Sequence, residues 1–185
     1  MKRIVLTFGL ISGAILSAML VAMVPFIEEI GWDMSEVVGY SSMVLAFLLI
    51  FFGVRSYRDT VGGGRLSFGR GFGVGVLIAL VASACYVATW QVLYRTVAPD
   101  FTARYTEYQL EKERAAGASE AALAERRAEL QRFAELYENP LVNIAVTFIE
   151  PLPVGLVMAL LSAGILRRPL RNNDRVTTPH TAVST

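Results

Sequence analysis

Four long apolar stretches alternate with polar segments along the chain. They cover about residues 4–27, 36–57, 68–95 and 141–166. Because a helix rises about 1.5 Å per residue, about 20 residues cross the roughly 30 Å of hydrocarbon in a bilayer. Backbone polar groups in hydrocarbon must be paired within their own segment, which only a helix achieves here. The pattern predicts an all-α integral membrane bundle of four helices.

The polar segment between the third and fourth runs, about 99–139, also has helical periodicity. Apolar side chains recur at helical spacing in its first half, at Phe101, Tyr105 and Tyr108. Gly117 is suited to ending one helix and Ser119 to starting the next. We therefore expect two amphipathic helices that form a hairpin outside the membrane.

Two polar motifs predict where membrane helices begin. Asp33-Met34-Ser35-Glu36 has the acceptor-x-x-Glu form of a capping box, which places the start of the second helix there. Ser67 is suited to capping the third helix through its hydroxyl group.

Composition agrees with a membrane protein of one domain. Of the 185 residues 54% are apolar and 18% are charged, below the roughly 25% of a soluble domain. We expect one membrane domain over 1–168 and a polar, disordered cytoplasmic tail over 169–185. A net charge of +1 gives no reason to expect nucleic acid as a partner. One cysteine and one histidine are too few for a structural zinc site, and no metal or cofactor is predicted.

Arginines and lysines predict the orientation. The N-terminus carries Lys2 and Arg3, whereas the first loop carries only acidic residues. The second loop region contains Arg55, Arg58, Arg65 and Arg70, and the tail contains Arg167, Arg168, Arg171 and Arg175. Because basic residues stay on the cytoplasmic side, both termini and the second loop are predicted to be cytoplasmic.

The second loop also contains a glycine-rich turn, Gly62–Gly64. Together with the four arginines of that region, its backbone N–H groups form a candidate contact for lipid headgroup phosphates. The alternative is a flexible turn whose arginines only set the topology. A nucleotide cradle would need a preceding strand and a Gly-Lys-Ser/Thr sequence, and neither is present.

Glu150 is the most unusual residue in the chain, because it lies deep inside the fourth apolar run. Pro151 and Pro153 follow it, and each deprives a carbonyl one turn earlier of its helical partner. Asn143 and Thr147 share its helix face, at spacings i, i+4 and i+7. By depth, the expected partners in other helices are Ser83, Tyr86 and Ser17.

Three interpretations of this candidate intramembrane polar site remain open. Glu150 is a structural carboxyl that is neutral and hydrogen-bonded across the bundle, or it forms part of a proton or ion site. The third alternative is a site for a small ligand or a lipid.

Glycines at four-residue spacing predict close helix contacts. The pairs are Gly9/Gly13 in the first helix and Gly69/Gly73 and Gly71/Gly75 in the third. Small residues let two backbones approach and gain dispersion contacts. We expect packing within the bundle, with a homo-oligomer interface as the alternative.

Several stretches together resemble one protein family. They read GVRSYRD (53–59), VGGGRLSFG (61–69), GASE (117–120), YENPL (137–141) and TFIEPLPVG (147–155). The combination resembles domain of unknown function family 4199, a family of small bacterial membrane proteins, over nearly the whole chain up to Arg168. The resemblance implies four membrane helices in a bacterial cytoplasmic membrane. It implies no activity, substrate or catalytic residue.

The sequence ranks three classes of function. A non-enzymatic structural or accessory membrane protein, whose partner is the lipid bilayer, comes first and predicts a closed core around Glu150. A small proton- or ion-coupled transporter subunit that uses Glu150 comes second and predicts a polar cavity reaching it. An enzyme acting on lipids comes last, because the sequence shows no cluster of acids, histidines or a nucleophile.

Overall fold

The structure, a computed structural model, describes residues 1–167. The predicted tail, 169–185, lies outside the described residues, and so do Arg168, Arg171 and Arg175. The helices are α1 (Lys2–Met23), α2 (Ile27–Ile30), α3 (Trp32–Thr60), α4 (Phe68–Thr96), α5 (Phe101–Ala115), α6 (Glu120–Glu138), α7 (Pro140–Ile149) and α8 (Leu152–Leu166). A 3₁₀ turn at Val24–Phe26 joins α1 to α2.

Four helical segments are long and apolar enough to cross a membrane. They are Lys2–Ile30, Trp32–Thr60, Phe68–Thr96 and Pro140–Leu166. The prediction of an all-α fold with four such segments is confirmed. Large apolar side chains cover the outside of the bundle, which is where lipid would contact it.

The α4 helix lies at the centre of the bundle. It packs against α1, α3 and α8, and both α1 and α8 also pack against α3. The core between them contains Phe47, Ile50 and Ile78, which are fully buried. A buried hydrogen bond from the Ser12 hydroxyl to the Ala46 carbonyl oxygen, 3.0 Å long, joins α1 to α3.

Glycines allow these helices to approach closely. A Cβ atom added to Gly13 would lie 2.6 Å from the Cβ of Cys85, and one added to Gly9 would lie 2.7 Å from the Cβ of Val81. On the other side of α4, a Cβ on Gly75 would lie 2.8 Å from the Cβ of Ala159. These glycines therefore pack within the chain, between α1 and α4 and between α4 and α8.

The remaining glycines of the α4 run differ among themselves. Gly71 also faces α8, because a Cβ there would lie 3.3 Å from the Cβ of Ala163. Gly69 and Gly73 have no neighbour within 4 Å of an added Cβ. Only the Gly71/Gly75 spacing on α4 therefore forms a helix contact within residues 1–167.

The predicted start of the second membrane helix was wrong. The α3 helix begins at Trp32 after Gly31, whose φ of 87° favours glycine, and no side chain caps it. The capping box therefore does not form, and the Asp33 carboxylate binds Lys112 instead. Ser67 does precede α4, but its side chain makes no capping hydrogen bond.

The α5 and α6 helices pack against each other as a hairpin. Gly117, with a φ of 89°, ends the first helix, and the Ser119 hydroxyl accepts a hydrogen bond from the Ala122 N–H at 3.3 Å. Leu110, Leu123 and Leu130 form a small apolar cluster between the two helices. The aromatic face of α5 points away from this cluster and contacts Trp32 at the end of the bundle.

Candidate functional site

The fourth membrane segment is interrupted at Glu150. The α7 helix ends at Ile149 and α8 begins at Leu152. Pro153 falls in the first turn of α8, where the missing N–H group would have no helical partner anyway. The Pro151 carbonyl starts the hydrogen-bond pattern of α8 by accepting from the Gly155 N–H at 3.0 Å. The two prolines therefore separate α7 from α8 at the position of the carboxyl group.

A cavity of about 360 Å³ lies at the acidic end of the bundle, which carries Glu28, Asp33 and Glu36. It arises because α8 packs against α3 and α4, whereas α7 packs mainly against α4 and α6. The first part of α3, residues 32–40, therefore has no helix packed closely against the side that faces α7. Residues of every element from α1 to α7 contribute to the wall, and the cavity is open over part of its surface. The α5 helix lies across it.

Glu150 forms part of the wall of this cavity, and its side chain is exposed. The Tyr86 hydroxyl group donates a hydrogen bond to Glu150 Oε2 at 3.1 Å. Ser83 is buried, but its Oγ has no hydrogen-bond partner among the residues that the structure describes. The Ser17 hydroxyl instead donates to the Cys85 carbonyl oxygen at 3.5 Å. Of the three expected partners, the structure brings only Tyr86 to Glu150.

A buried polar network runs along α7 beside the carboxyl group. Asn143 Oδ1 accepts hydrogen bonds from Gln91 Nε2 at 2.6 Å and from the Thr147 hydroxyl at 3.4 Å. Because Thr147 uses its proton in this way, the Tyr137 hydroxyl is the donor in its 3.2 Å contact with Thr147. Trp90 Nε1 donates to the Tyr137 oxygen at 2.8 Å. The predicted polar face of the fourth segment is therefore turned inward and is linked to α4 and α6.

Tyr137 lies outside the membrane segments, and its burial raises the pKa of its hydroxyl group. The group therefore stays protonated at physiological pH and keeps its donor role. The Tyr137 ring also contacts the Tyr94 ring edge-to-face, with the ring centroids 5.5 Å apart.

Aromatic rings connect the hairpin to the bundle around the cavity. Trp32 of α3 contacts the rings of Phe101 and Tyr105 of α5, at centroid distances of 5.3 and 5.4 Å. Phe101 in turn meets Trp90 of α4 edge-to-face at 4.9 Å. Each such pair is worth about 0.5–1.5 kcal/mol beyond its buried area. The aromatic face of α5 is therefore part of the cavity wall.

Two ion pairs also hold α5 across the cavity. Lys112 Nζ lies 2.6 Å from Asp33 Oδ1 and 5.5 Å from the centre of the Tyr108 ring. The hydrogen bonds to Asp33 and Tyr108 raise the pKa of Lys112 to about 12, so its ammonium group stays charged at physiological pH. Arg104 binds Glu28 at 3.1 Å and also pairs with Asp100. Exposed pairs of this kind position α5 more than they stabilise it.

The arginines predicted to contact lipid headgroups lie at the opposite end of the bundle. Arg55 and Arg58 pair with Asp59 at 3.8 and 2.7 Å. Arg65 and Arg70 are exposed beside the glycine turn, where Gly63 and Gly64 have positive φ angles. Headgroup binding stays a prediction. Within residues 1–167, no group of three or more His, Cys, Asp or Glu side chains is placed to hold a metal ion.

The cavity, and the contributions of Glu36, Tyr40 and α5 to its wall, do not follow from the sequence pattern. The sequence does place Phe101, Tyr105 and Tyr108 on one face of α5. In the structure this face contacts Trp32 at the start of α3 and Trp90 near the end of α4.

Replacing Tyr137 with phenylalanine is expected to lower the free energy of unfolding by about 1–3 kcal/mol, because the buried Trp90 N–H loses its acceptor. The unfolding midpoint in detergent measures the effect. Tyr94→Phe is the matched control, since the structure gives the Tyr94 hydroxyl no hydrogen bond within residues 1–167. Equal midpoints for the two variants would contradict the network.

Comparison with known proteins gives a family and no activity. The family model described as "Protein of unknown function (DUF4199)" matches residues 7–168, including the Glu150 break and the glycine turn. No curated protein and no solved structure matches the chain. With the match covering most of the sequence, the chain belongs to the DUF4199 family of proteins of unknown function.

Proposed function

We propose that this chain is a multi-pass protein of the bacterial cytoplasmic membrane that binds a small solute in a cavity open to the outside. Four apolar segments of sufficient length support the four crossings. The short second loop carries arginines and the short first loop carries only acidic residues, which supports cytoplasmic termini and an extramembrane α5–α6 hairpin on the outer side. The bilayer is its lipid partner.

The observation that carries this proposal is the cavity that reaches Glu150. A purely structural carboxyl would be enclosed in the core, with its hydrogen bonds satisfied by neighbouring helices. Glu150 instead has one bond from Tyr86 and is exposed at the cavity wall. A carboxyl placed in an apolar segment is costly, so its exposure at a cavity favours a role in binding over a role in packing.

The proposed role is non-enzymatic. The cavity wall offers carboxyl, ammonium, phenol, indole and hydroxyl groups, which are suited to holding a solute. Nucleophilic catalysis would instead need a hydroxyl or thiol group with a base beside it. In the described part of the chain, the two aliphatic hydroxyl groups of the wall, those of Ser35 and Thr147, make no hydrogen bond to a carboxylate, lysine or histidine. Binding without chemistry is compatible with an accessory function in the membrane.

A proton- or ion-coupled transporter subunit is the second candidate. The helix break at Glu150 favours it, because interrupted membrane helices beside a carboxyl group are typical of ion sites in transporters. A bundle of four helices would need to form a homo-oligomer to enclose a pathway, and lipid-facing glycines such as Gly73 are available for such a contact.

The test is the chemical accessibility of position 150. With Cys85 replaced by alanine, the Glu150→Cys variant is expected to react with a small, membrane-impermeant methanethiosulfonate added outside intact cells. The matched control is Ile149→Cys, whose native side chain is 63% exposed on the outside of the bundle and does not line the cavity. A thiol surrounded by lipid stays protonated and reacts slowly, so only the first variant should be labelled.

Failure of the Glu150→Cys variant to react from outside, together with reaction after permeabilisation, would place the cavity on the cytoplasmic side. Failure under both conditions would show that the cavity is closed to water. Either result would overturn the proposed function.

A further inference from the structure

We infer that the solute is a small organic cation, with an ammonium group that the cavity holds between carboxylates and aromatic rings. This inference rests on the proposed function and names the class of ligand. Four features of the cavity support it. They are the carboxyl groups of Glu36 and Glu150, the aromatic rings of the wall, the Lys112–Asp33 ion pair and the Ser35 hydroxyl group.

The charge of the wall is negative. It contains the carboxyl groups of Asp33, Glu36 and Glu150 and one ammonium group, that of Lys112. Lys112 is paired with Asp33. Over residues 1–167, Glu36 and Glu150 make no ion pair, and both residues line the same cavity. Two carboxyl groups facing one cavity without a countercharge favour a cationic occupant.

The rings around these carboxyl groups are suited to the same occupant. Tyr40 lies on α3, the helix of Glu36, and Tyr86 of α4 donates the hydrogen bond to Glu150. Trp32 and Trp90 line the same cavity. The face of an aromatic ring attracts a cation within about 6 Å, most strongly when the cation is desolvated. An anion would be repelled by both features.

Lys112 shows how the wall accommodates an ammonium group. Its nitrogen lies 2.6 Å from a carboxylate oxygen of Asp33 and 5.5 Å from the centre of the Tyr108 ring. One carboxylate and one ring therefore hold this internal cation. Around Glu150 the wall again combines carboxyl groups with rings, those of Glu36 and Glu150 with Tyr40 and Tyr86. Among the residues that the structure describes, Lys112 is the one lysine or arginine of the wall, and it is paired with Asp33.

An unpartnered hydroxyl group supports a polar ligand independently of the charges. Ser35 is only 5% exposed, its Oγ has no hydrogen-bond partner in the described part of the chain, and the residue lines the cavity. A buried hydroxyl without a partner costs about 1–3 kcal/mol, so a ligand that carries its own hydroxyl or N–H group would recover this energy.

The size of the cavity agrees with a small molecule. Its volume of about 360 Å³ falls within the roughly 300–1,000 Å³ of small-molecule sites. A bare metal ion would be surrounded by oxygen ligands and would gain little from the aromatic wall.

Tryptophan fluorescence provides a direct assay, because both tryptophans of the sequence, Trp32 and Trp90, line the cavity. The full chain in detergent would be titrated with choline and, in parallel, with 3,3-dimethylbutan-1-ol, which has the same shape without the charge. We expect a saturable change with choline and none with the neutral alcohol. Equal responses to the two probes, or no response to choline, would overturn the inference.

Substitutions locate the site. Glu150→Gln should weaken choline binding by about tenfold or more, because it removes one of two carboxylates. Glu107→Gln on α5, which does not line the cavity, should bind choline like the unsubstituted protein. If Glu150→Gln unfolds, Tyr40→Leu replaces it and should weaken binding by about threefold to tenfold, whereas Tyr40→Phe keeps the ring and the affinity.

These results separate the inference from the proposed function. Outside labelling of Glu150→Cys with equal binding of choline and the neutral alcohol would leave a solute-binding cavity and refute the cationic ligand. Choline binding that is unaffected by both Glu150→Gln and Tyr40→Leu would place the cation elsewhere and would also refute the inference.

Discussion

Replacing Phe47 with alanine is expected to lower the free energy of unfolding by about 3 kcal/mol. Phe47 is 0% exposed, and its ring lies between α3, α4 and α8, within reach of Gly155. In soluble proteins such a truncation costs about 3–5 kcal/mol. We expect the lower end of this range, because the Phe47 side chain of the unfolded protein still lies in lipid and not in water. The substitution therefore costs mainly the dispersion contacts of the ring.

The measurement is unfolding in mixed micelles as the fraction of denaturing detergent rises. Phe52→Ala is the matched control, because Phe52 lies on the same helix but is 51% exposed on the outside of the bundle. We expect the Phe52 variant to unfold close to the unsubstituted protein. A comparable loss for both variants would show that α3 is not oriented as the structure has it.

Replacing Gly75 with leucine should lower the free energy of unfolding nearly as much, because it overfills a helix contact. Even a Cβ at this position would lie 2.8 Å from the Cβ and 3.0 Å from the Cα of Ala159, and 3.1 Å from Ile50. Neither backbone nor short side chains can move aside, so α4 and α8 must separate. Overpacking of this kind costs about 1–3 kcal/mol, and a whole leucine at a backbone contact should reach the upper end.

Gly73→Leu is the control for this substitution. Gly73 lies two residues earlier on α4 with no neighbour within 4 Å of an added Cβ. Leucine is also a better helix former than glycine, by about 0.8 kcal/mol. Thermal unfolding in detergent should therefore show a lower midpoint for Gly75→Leu and an unchanged or higher one for Gly73→Leu. The reverse order would exclude the α4–α8 contact.

The membrane helices could be predicted because their length and apolarity are imposed by the thickness of the bilayer. Helix ends were less predictable, because the polar groups there have alternative partners. Asp33 illustrates this, since its carboxylate binds Lys112, 79 residues away, instead of capping its own helix. Pro25 similarly interrupts the first segment with a 3₁₀ turn that the apolar pattern does not reveal.

The candidate site was predictable only within one helix. Asn143, Thr147 and Glu150 share a face by spacing alone, and in the structure Thr147 and Glu150 line the cavity while Asn143 is buried beside Thr147. Their partners depend on the rotation and depth of α4, and a shift of one turn exchanges Ser83 for Tyr86 as the residue nearest Glu150. The cavity itself results from the divergence of α7 from α3, which no local pattern records.

The measurement that tests the central claim most directly is labelling from outside at the two ends of the bundle. In a Cys85→Ala background, Ser67→Cys marks the arginine-bearing turn before α4, and Ala121→Cys marks the first turn of α6, and both native side chains are exposed. The account predicts that an impermeant maleimide labels only Ala121→Cys in intact cells and labels Ser67→Cys after lysis. Labelling of both variants in intact cells, or of Ser67→Cys alone, would contradict it.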